Sequence, residues 1–152
     1  TPGFLPGSRQ EGAGVIRHGA KLVHAFAQAT VPKVTVVLRK AYGGAFIAMN
    51  AKELGADLVF AWPSAQLGVM GSKQAVGIVH RKRIAEADDP AQAGDRLARE
   101  YAKHHLAATA AMRAGHVDEV IPPSQTRDRL AGALNALETG ERATPGYTNV
   151  PL

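Results

Sequence analysis

The chain has 152 residues, is 45% hydrophobic, carries a formal charge of +5 at neutral pH and contains no cysteine. That length supports one domain with a real core, and the missing thiols exclude disulfides, thiolate metal sites and cysteine catalysis and suit a reducing compartment. No apolar run approaches the roughly 18 residues of a membrane span, and the opening TPGFLPG has neither a basic n-region nor a signal-peptide core.

Residues 1–10 form a Pro/Gly loop that looks as if it opens mid-domain. From Arg9 to about Thr30, Val15, Ile16, Leu22, Val23 and Phe26 recur at helical spacing. Pro32 ends that helix. Val34 to Leu38 is β-branched and nearly all apolar, which predicts a strand buried on both faces. Gly44 to Leu54 predicts a helix closed by Gly55 at the C′ position. Asp57 to Trp62 and Gln66 to Met70 predict two further strands, and a helical stretch follows Gly71 through Arg83. Ala87 to Pro90 is a surface turn. Helices are expected from about Ala91 to Lys103 and from Leu106 to Arg113, the second stopped by Gly115. Val117 to Ile121 predicts a short strand. Ser124 sets an N-cap for a helix from Gln125 to Leu137, with Leu130, Ala133, Leu134 and Leu137 facing the core. The tail from Gly140 predicts an extended arm. Strands alternating with helices make the class α/β.

Several standard signatures are missing: no G-x-S-x-G elbow, no H-E-x-x-H, no Walker loop and no spaced-glycine dinucleotide fingerprint. His104 and His105 are adjacent, so on a helix they diverge by about 100° and make a poor metal pair. His18 and His24 are also poorly spaced as ligands. Asp88-Asp89 is simplest as a turn, and Gly115 to Val120 as a helix stop feeding an edge strand. His80-Arg81-Lys82-Arg83 is the one concentration of cations. It can contact phosphate, but a solvated helix end favoured by the helix dipole is the simpler reading.

Gly43-Gly44, between a predicted strand and a predicted helix, has two readings. Glycine lets the chain turn sharply and lets the helix pack closely. Equally, first-turn amides lack intrahelical acceptors and sit at the positive end of the helix dipole. The N–H groups of Gly44 and Ala45 would then face a developing oxyanion, a role needing no catalytic side chain.

TPGFLPG, QEGAGVIRHGAKLVHAF, ATVPKVTVVLRKAYGGAFIAM, LGADLVFAWPSAQLGVMG, AGHVDEVIPPSQTRDRL and the closing NVPL occur in this order. Together they resemble the carboxyltransferase β subunit of biotin-dependent acyl-CoA carboxylases of the propionyl-CoA or acetyl-CoA type. The resemblance implies a crotonase-like α/β fold, incomplete here. It also implies that 1–139 form most of a C-terminal carboxyltransferase domain and 140–152 a C-terminal arm. On that basis an N-terminal acyl-CoA-binding domain would precede, and the chain would be a fragment or a split subunit.

The implied reaction moves a carboxyl group from carboxybiotin, borne on a partner carrier domain, to the α-carbon of a short acyl-CoA. Carried over, Gly44 and Ala45 supply the amides that serve biotin, and the freed biotin nitrogen takes the α-proton. Phe4, Leu5, Pro6 and Gly7 match the loop bordering the biotin pocket, and Tyr42, Gly43, Phe46 and Gly71 line the site. Ile47 stands where propionyl-preferring relatives often have Asp, which suggests acetyl-CoA or a broader or longer range of acyl chains. The alternative is that Ile47 simply packs the first helical turn. Gln74 replaces a glycine usual in the family and would tighten the loop after Met70-Gly71.

The implied partners are acyl-CoA, a biotin carboxyl carrier or biotin carboxylase subunit, the N-terminal domain and further copies of the chain. Helix 10–30 and the arm are the expected assembly surfaces. No metal, nucleic acid or membrane is expected, and the expected location is cytoplasmic. Alternatives are a biotin-dependent acyl-CoA decarboxylase, which would look the same at Gly-Gly-Ala, or a non-catalytic assembly module. A basic nucleic-acid binder is disfavoured because aromatics are only 5%, too few for a base-stacking platform.

Overall fold

The computed structural model describes residues 1, 3, 5 and 7–138. Phe4, Pro6 and the expected arm at 140–152 lie outside the described residues. Eight helices and five strands alternate along the described chain. Among the described residues no helix is long and apolar enough to cross a membrane.

The helix expected from Arg9 to Thr30 is two: α1 (Ser8–Gly12) and α2 (Val15–Gln28). Gly14 divides them, at φ +85° in the left-handed region that helical residues do not adopt. β1 (Val34–Val37) follows. It pairs in parallel with β3 (Leu58–Ala61), which pairs in parallel with β5 (Glu119–Val120), giving the order β1-β3-β5. The expectation that β1 is buried on both faces is corrected, since only Val37 is fully buried. β1 lies at one side of this sheet, whereas β3, in the middle, buries Val59, Phe60 and Ala61.

A strand that the pattern did not predict, β2 (Lys40–Tyr42), pairs in parallel with β4 (Gln66–Gly68). Two bonds carry the pairing from one sheet to the other: Trp62 N–H to Val37 O at 2.9 Å, and Gln66 N–H to Arg39 O at 2.6 Å. Thr1 adds to β2 as well, donating to Lys40 O at 2.7 Å and accepting from Tyr42 N–H at 3.0 Å. Helix α3 (Gly43–Ala48) leaves β2 directly. It stops well before the expected Leu54, because Asn50 is left-handed at φ +66°. A 3₁₀ turn, Lys52–Leu54, follows, and Gly55 at φ +97° closes that turn instead of α3.

The stretch after Gly71 also divides, into α4 (Ser72–Val79) and α5 (Arg81–Ala85), at His80. Asp89 caps α6 (Pro90–Tyr101), its Oδ1 accepting Gln92 N–H at 2.9 Å with Pro90 in the first turn. A π-helical turn, Ala102–Leu106, joins α6 to α7 (Ala108–Arg113). A 3₁₀ turn, Pro123–Gln125, leads into α8 (Thr126–Glu138).

Alternation along β3 divides the core. Val59 and Ala61 join Val37, Ala41, Leu67 and the alanines of α7. Phe60 joins Ile121, Ala133 and the half-buried Trp62 and Leu130 under α8. Trp62 Nε1–H donates to Thr126 Oγ1 at 2.9 Å, tying α8 to the end of β3. Leu134, expected in the core, is 42% exposed, so α8 faces the sheet through Leu130 and Ala133 instead. A third cluster, Val76 with Leu97 and Ala98, joins α4 to α6.

Asp118 shows why Gly115 to Val120 is structural. Its Oδ2 accepts Val59 N–H at 2.8 Å, its own N–H donates to Val59 O at 2.8 Å, and its Oδ1 meets Lys52 Nζ. The carboxylate completes the hydrogen bonding at the start of the central strand.

Candidate functional site

β2 delivers Gly43 to the start of α3 at φ +59°. That left-handed turn is what permits a three-residue strand to become a helix without a loop. A Cβ on Gly43 would stand 3.0 Å from Val69 O, so the backbone after β4 packs directly against the turn. The glycine is required twice, for its conformation and for this close approach.

Gly44 and Ala45 follow in the first turn of α3. Their N–H groups have no intrahelical acceptor by position, and no described hydrogen bond engages them. Gly44 is exposed and Ala45 buried, so an oxygen reaches these donors from the Gly44 side.

Two clefts meet at Gly44. One, about 530 Å³, is polar and includes Lys40, Tyr42, Gln66, Ser72 and Lys73 in its lining. Among the described residues no carboxylate lines it. Lys73 is paired with Asp95 at 2.8 Å, while Lys40 is exposed. Tyr42 O–H donates to Gln66 Oε1 at 2.6 Å, and burial pushes the phenol pKa up, so it stays a neutral donor. The other cleft, about 430 Å³, is an apolar groove lined from α2 and α3, with Leu5, Val15, Ile16, Val23 and Gly44 in its wall.

Of the residues singled out in the sequence, the structure brings Tyr42, Gly43, Gly44, Ala45 and Gly71 to the polar cleft. Phe46 and Ile47 do not line it; they face a separate cleft that shares Gly43. Gly7 is the N-cap residue of α1, at φ +128°, and Leu5 from the same loop lines the apolar groove. Gln74 folds back so that its Oε1 lies 2.7 Å from where a Gly71 Cβ would stand, which fits the expected tightening of that loop. Sequence reasoning did not find Lys40, Gln66, Ser72 or Lys73. For Lys40 and Gln66 the signal is the strand pair β2–β4, and three-residue strands carry too little alternation to be seen; Ser72 and Lys73 begin α4, which packs beside it.

A donor pair without an intrahelical acceptor, flanked by lysines and by an apolar groove, can stabilise negative charge on an oxygen carried by a largely apolar group. A carboxyl transferase domain model matches residues 1–149. The chain is 49% identical to the putative propionyl-CoA carboxylase β chain of Bacillus subtilis, over 100% of its length and 30% of the relative's. Identity to the methylmalonyl-CoA decarboxylase α subunit of Propionigenium modestum is also 49%, again over 100% and 30%. The transcarboxylase 12S crystal structure superposes with a TM-score of 0.92 at 47% identity, over 99% of this chain and 29% of that one. The chain thus spans under a third of these relatives, and over that span shares their α/β carboxyltransferase fold. It belongs to the carboxyl transferase domain family.

Proposed function

We propose that this chain is the biotin-side half of a carboxyltransferase that moves a carboxyl group from carboxybiotin to the α-carbon of a short acyl-CoA such as propionyl-CoA or acetyl-CoA. The carrying observation is the Gly44 and Ala45 N–H pair, unpartnered among the described residues, with both residues lining the polar cleft and Gly44 also lining the apolar groove. The residues present fit a biotin group. Its carbonyl oxygen needs donors and no competing carboxylate, which the described lining of the polar cleft offers. Its apolar ring needs a greasy wall, which Leu5, Val15 and Ile16 offer. Carboxybiotin, when bound, supplies the activated carboxyl group.

The chain's own part is electrostatic. The amides of Gly44 and Ala45 hold the charge that builds on the oxygen facing them, with the α3 dipole behind them. Gly43 makes the left-handed turn that starts α3 and lets the Val69 backbone pack against it. Lys40 adds positive potential, and Tyr42 stays neutral and donates within the cleft wall. Ala48 and Val23 in the apolar groove exclude water from one side.

The same reading takes 1–139 as a C-terminal domain and 140–152 as an arm, with the acyl-CoA side supplied by an N-terminal domain. Phe4 and Pro6 would complete the biotin pocket. Partners would be a biotin carrier or biotin carboxylase subunit and further copies of the chain. Leu22, 40% exposed on α2 away from the clefts, suits such an assembly surface. The 12S relative is described as a hexamer. A cytoplasmic location accords with the absence of cysteine. The reverse direction, decarboxylation, stands as a second reading, because similarity to a decarboxylase subunit equals that to the carboxylase chain.

The test is Gly44→Pro in the full-length gene product, assayed in both directions with propionyl-CoA and methylmalonyl-CoA. Proline is tolerated in a first helical turn and removes one N–H. A folded variant should lose about 10²–10³ in kcat. A folded variant with unaltered kcat would place the charge-stabilising donors elsewhere. A folded but inactive wild type would favour the assembly module.

A further inference from the structure

The basic stretch His80-Arg81-Lys82-Arg83 does not end a helix as its pattern suggests. α4 stops at Val79 with no cation in its last turn, and His80 separates it from α5. Arg81 opens α5, the end at which a helix dipole disfavours positive charge. In a helix of five residues, Lys82 and Arg83 stand within about a turn of that same end. The dipole therefore does not account for three adjacent cations, and neither do nearby carboxylates. Arg81, Lys82 and Arg83 are all exposed, and among the described residues no salt bridge engages them. Of the carboxylates that follow in the chain, Asp89 caps α6, and neither Glu86 nor Asp88 pairs with these cations.

Two apolar side chains lie beside the cations. Ile78 is 68% exposed and Val79 66%. With residues 80–83 they line an open crevice at the break between α4 and α5. The support beneath is fixed. Ile84 of α5 packs on the cluster of Val76, Leu97 and Ala98 that joins α4 to α6. His80 N–H donates to Val76 O at 2.8 Å, and Ile84 N–H donates to His80 O at 2.9 Å. Cationic and apolar groups are thus presented side by side on packed helices.

We propose that this patch is the docking surface for the biotin-bearing partner subunit, through a segment of that subunit in which acidic residues stand beside apolar ones. This rests on the function proposed above, which requires another chain to deliver biotin to Gly44. α4 connects the two places: Ser72 and Lys73 at its start line the polar cleft, and Ile78 and Val79 at its end belong to the patch. Its eight residues span about 12 Å, so a partner seated on the patch stands beside the cleft. Charge selects the partner's sign. Three exposed cations without counter-ions, on a chain of net charge +5, attract carboxylates and repel a second basic surface. The apolar pair selects a protein. A free phosphate or a phosphorylated small molecule would meet the cations and leave Ile78 and Val79 in water, whereas a protein interface buries apolar anchors and keeps charge at its rim.

The experiment uses the full-length gene product and its biotinylated partner subunit. The Kd between them is measured by calorimetry at about 50 and about 200 mM salt. Carboxylation of free biotin by methylmalonyl-CoA, which needs no docking, is measured alongside. Arg81→Glu combined with Arg83→Glu should raise Kd by about tenfold or more at low salt and reduce its salt dependence. Ile78→Ser, a second variant that leaves the charges in place, should raise Kd by about fivefold or more. Both should carboxylate free biotin at the wild-type rate, which also shows that they fold. An unchanged Kd in both variants overturns the inference. So does dissociation of the gene product's own oligomer with partner binding intact, which would make the patch a contact between copies. A raised KM for methylmalonyl-CoA with Kd unaltered would overturn it in favour of a phosphate site. Free biotin left uncarboxylated by the folded wild type would defeat the proposed function, whereas a wild type that carboxylates free biotin but does not bind the partner subunit defeats this inference alone.

Discussion

Asn50 and Thr35 clamp the end of α3 to β1. Asn50 Nδ2–H donates to Thr35 Oγ1 at 3.0 Å, and Thr35 Oγ1–H donates to Asn50 O at 2.8 Å. Asn50 is the one buried polar residue of the described core, and it sits at φ +66°. Asparagine tolerates that conformation better than other residues with a side chain. The clamp fixes where α3 ends, and through six residues of helix it fixes where Gly44 and Ala45 begin.

Removing one member should therefore cost more than a hydrogen bond. Asn50→Ala loses the donor and forces alanine into a left-handed turn, which should lower unfolding stability by about 1–3 kcal/mol. Asn50→Gly relieves the backbone and should cost less. Thr35→Val leaves Asn50 Nδ2 and O buried without Oγ1, and should cost about 1–3 kcal/mol. Urea melts of the three variants check this; Asn50→Gly proving worse than Asn50→Ala would show that the conformation is not the constraint.

Gly68 and Leu106 set a second constraint beside the site. A Cβ on Gly68 would overlap Leu106 Cδ2, and Leu106 is 2% exposed. Gly68 is the last residue of β4, and Leu106 ends the π-helical turn, so this contact seats that turn against the strand. Gly68→Ala should destabilise by about 1–3 kcal/mol through overpacking. Leu106→Ala alone should cost about 2–5 kcal/mol. The double variant should be more stable than the sum of the two losses, since the added methyl fills part of the space removed. Strict additivity in a thermal-melt cycle would argue against direct contact.

How far the sequence carried depends on length of pattern. Long periodic stretches, the α6 region and α8 among them, were legible, because several turns of apolar spacing outweigh local exceptions. The divisions at Gly14, Asn50 and His80 were not, since each is one residue's backbone geometry inside a helical pattern. β2 was invisible for a related reason. Lys40-Ala41-Tyr42 has no intrinsic strand signal, and it is a strand because Gln66–Gly68 pairs with it. The candidate site was half legible. Gly43-Gly44 marks a strand-to-helix junction by composition alone, whereas Lys40 reaches it only through that pairing, and Ser72 and Lys73 reach it from the start of α4. His104 and His105 fell between two expected helices and by regular helical spacing would diverge, but the π-helical turn puts both on one cleft.

Tyr42 gives the site a pH signature. Its side chain is buried, and burial raises its pKa above the ordinary 10.0. The protonated phenol is thus favoured in the folded state relative to the unfolded one. A group raised in this way contributes its full stability below the unfolded pKa, and that contribution is lost as pH rises through the folded value. Folding stability should hold through neutral pH and fall above about 10, where the O–H donated to Gln66 Oε1 ionises. Tyr42→Phe removes the titrating group. It should cost about 0.5–1.5 kcal/mol at neutral pH, from the lost hydrogen bond, and should flatten the alkaline decline. Chemical denaturation at pH 7 and at pH 10.5 measures both effects. A variant that loses stability with alkaline pH as steeply as the wild type would show that the decline belongs to other groups.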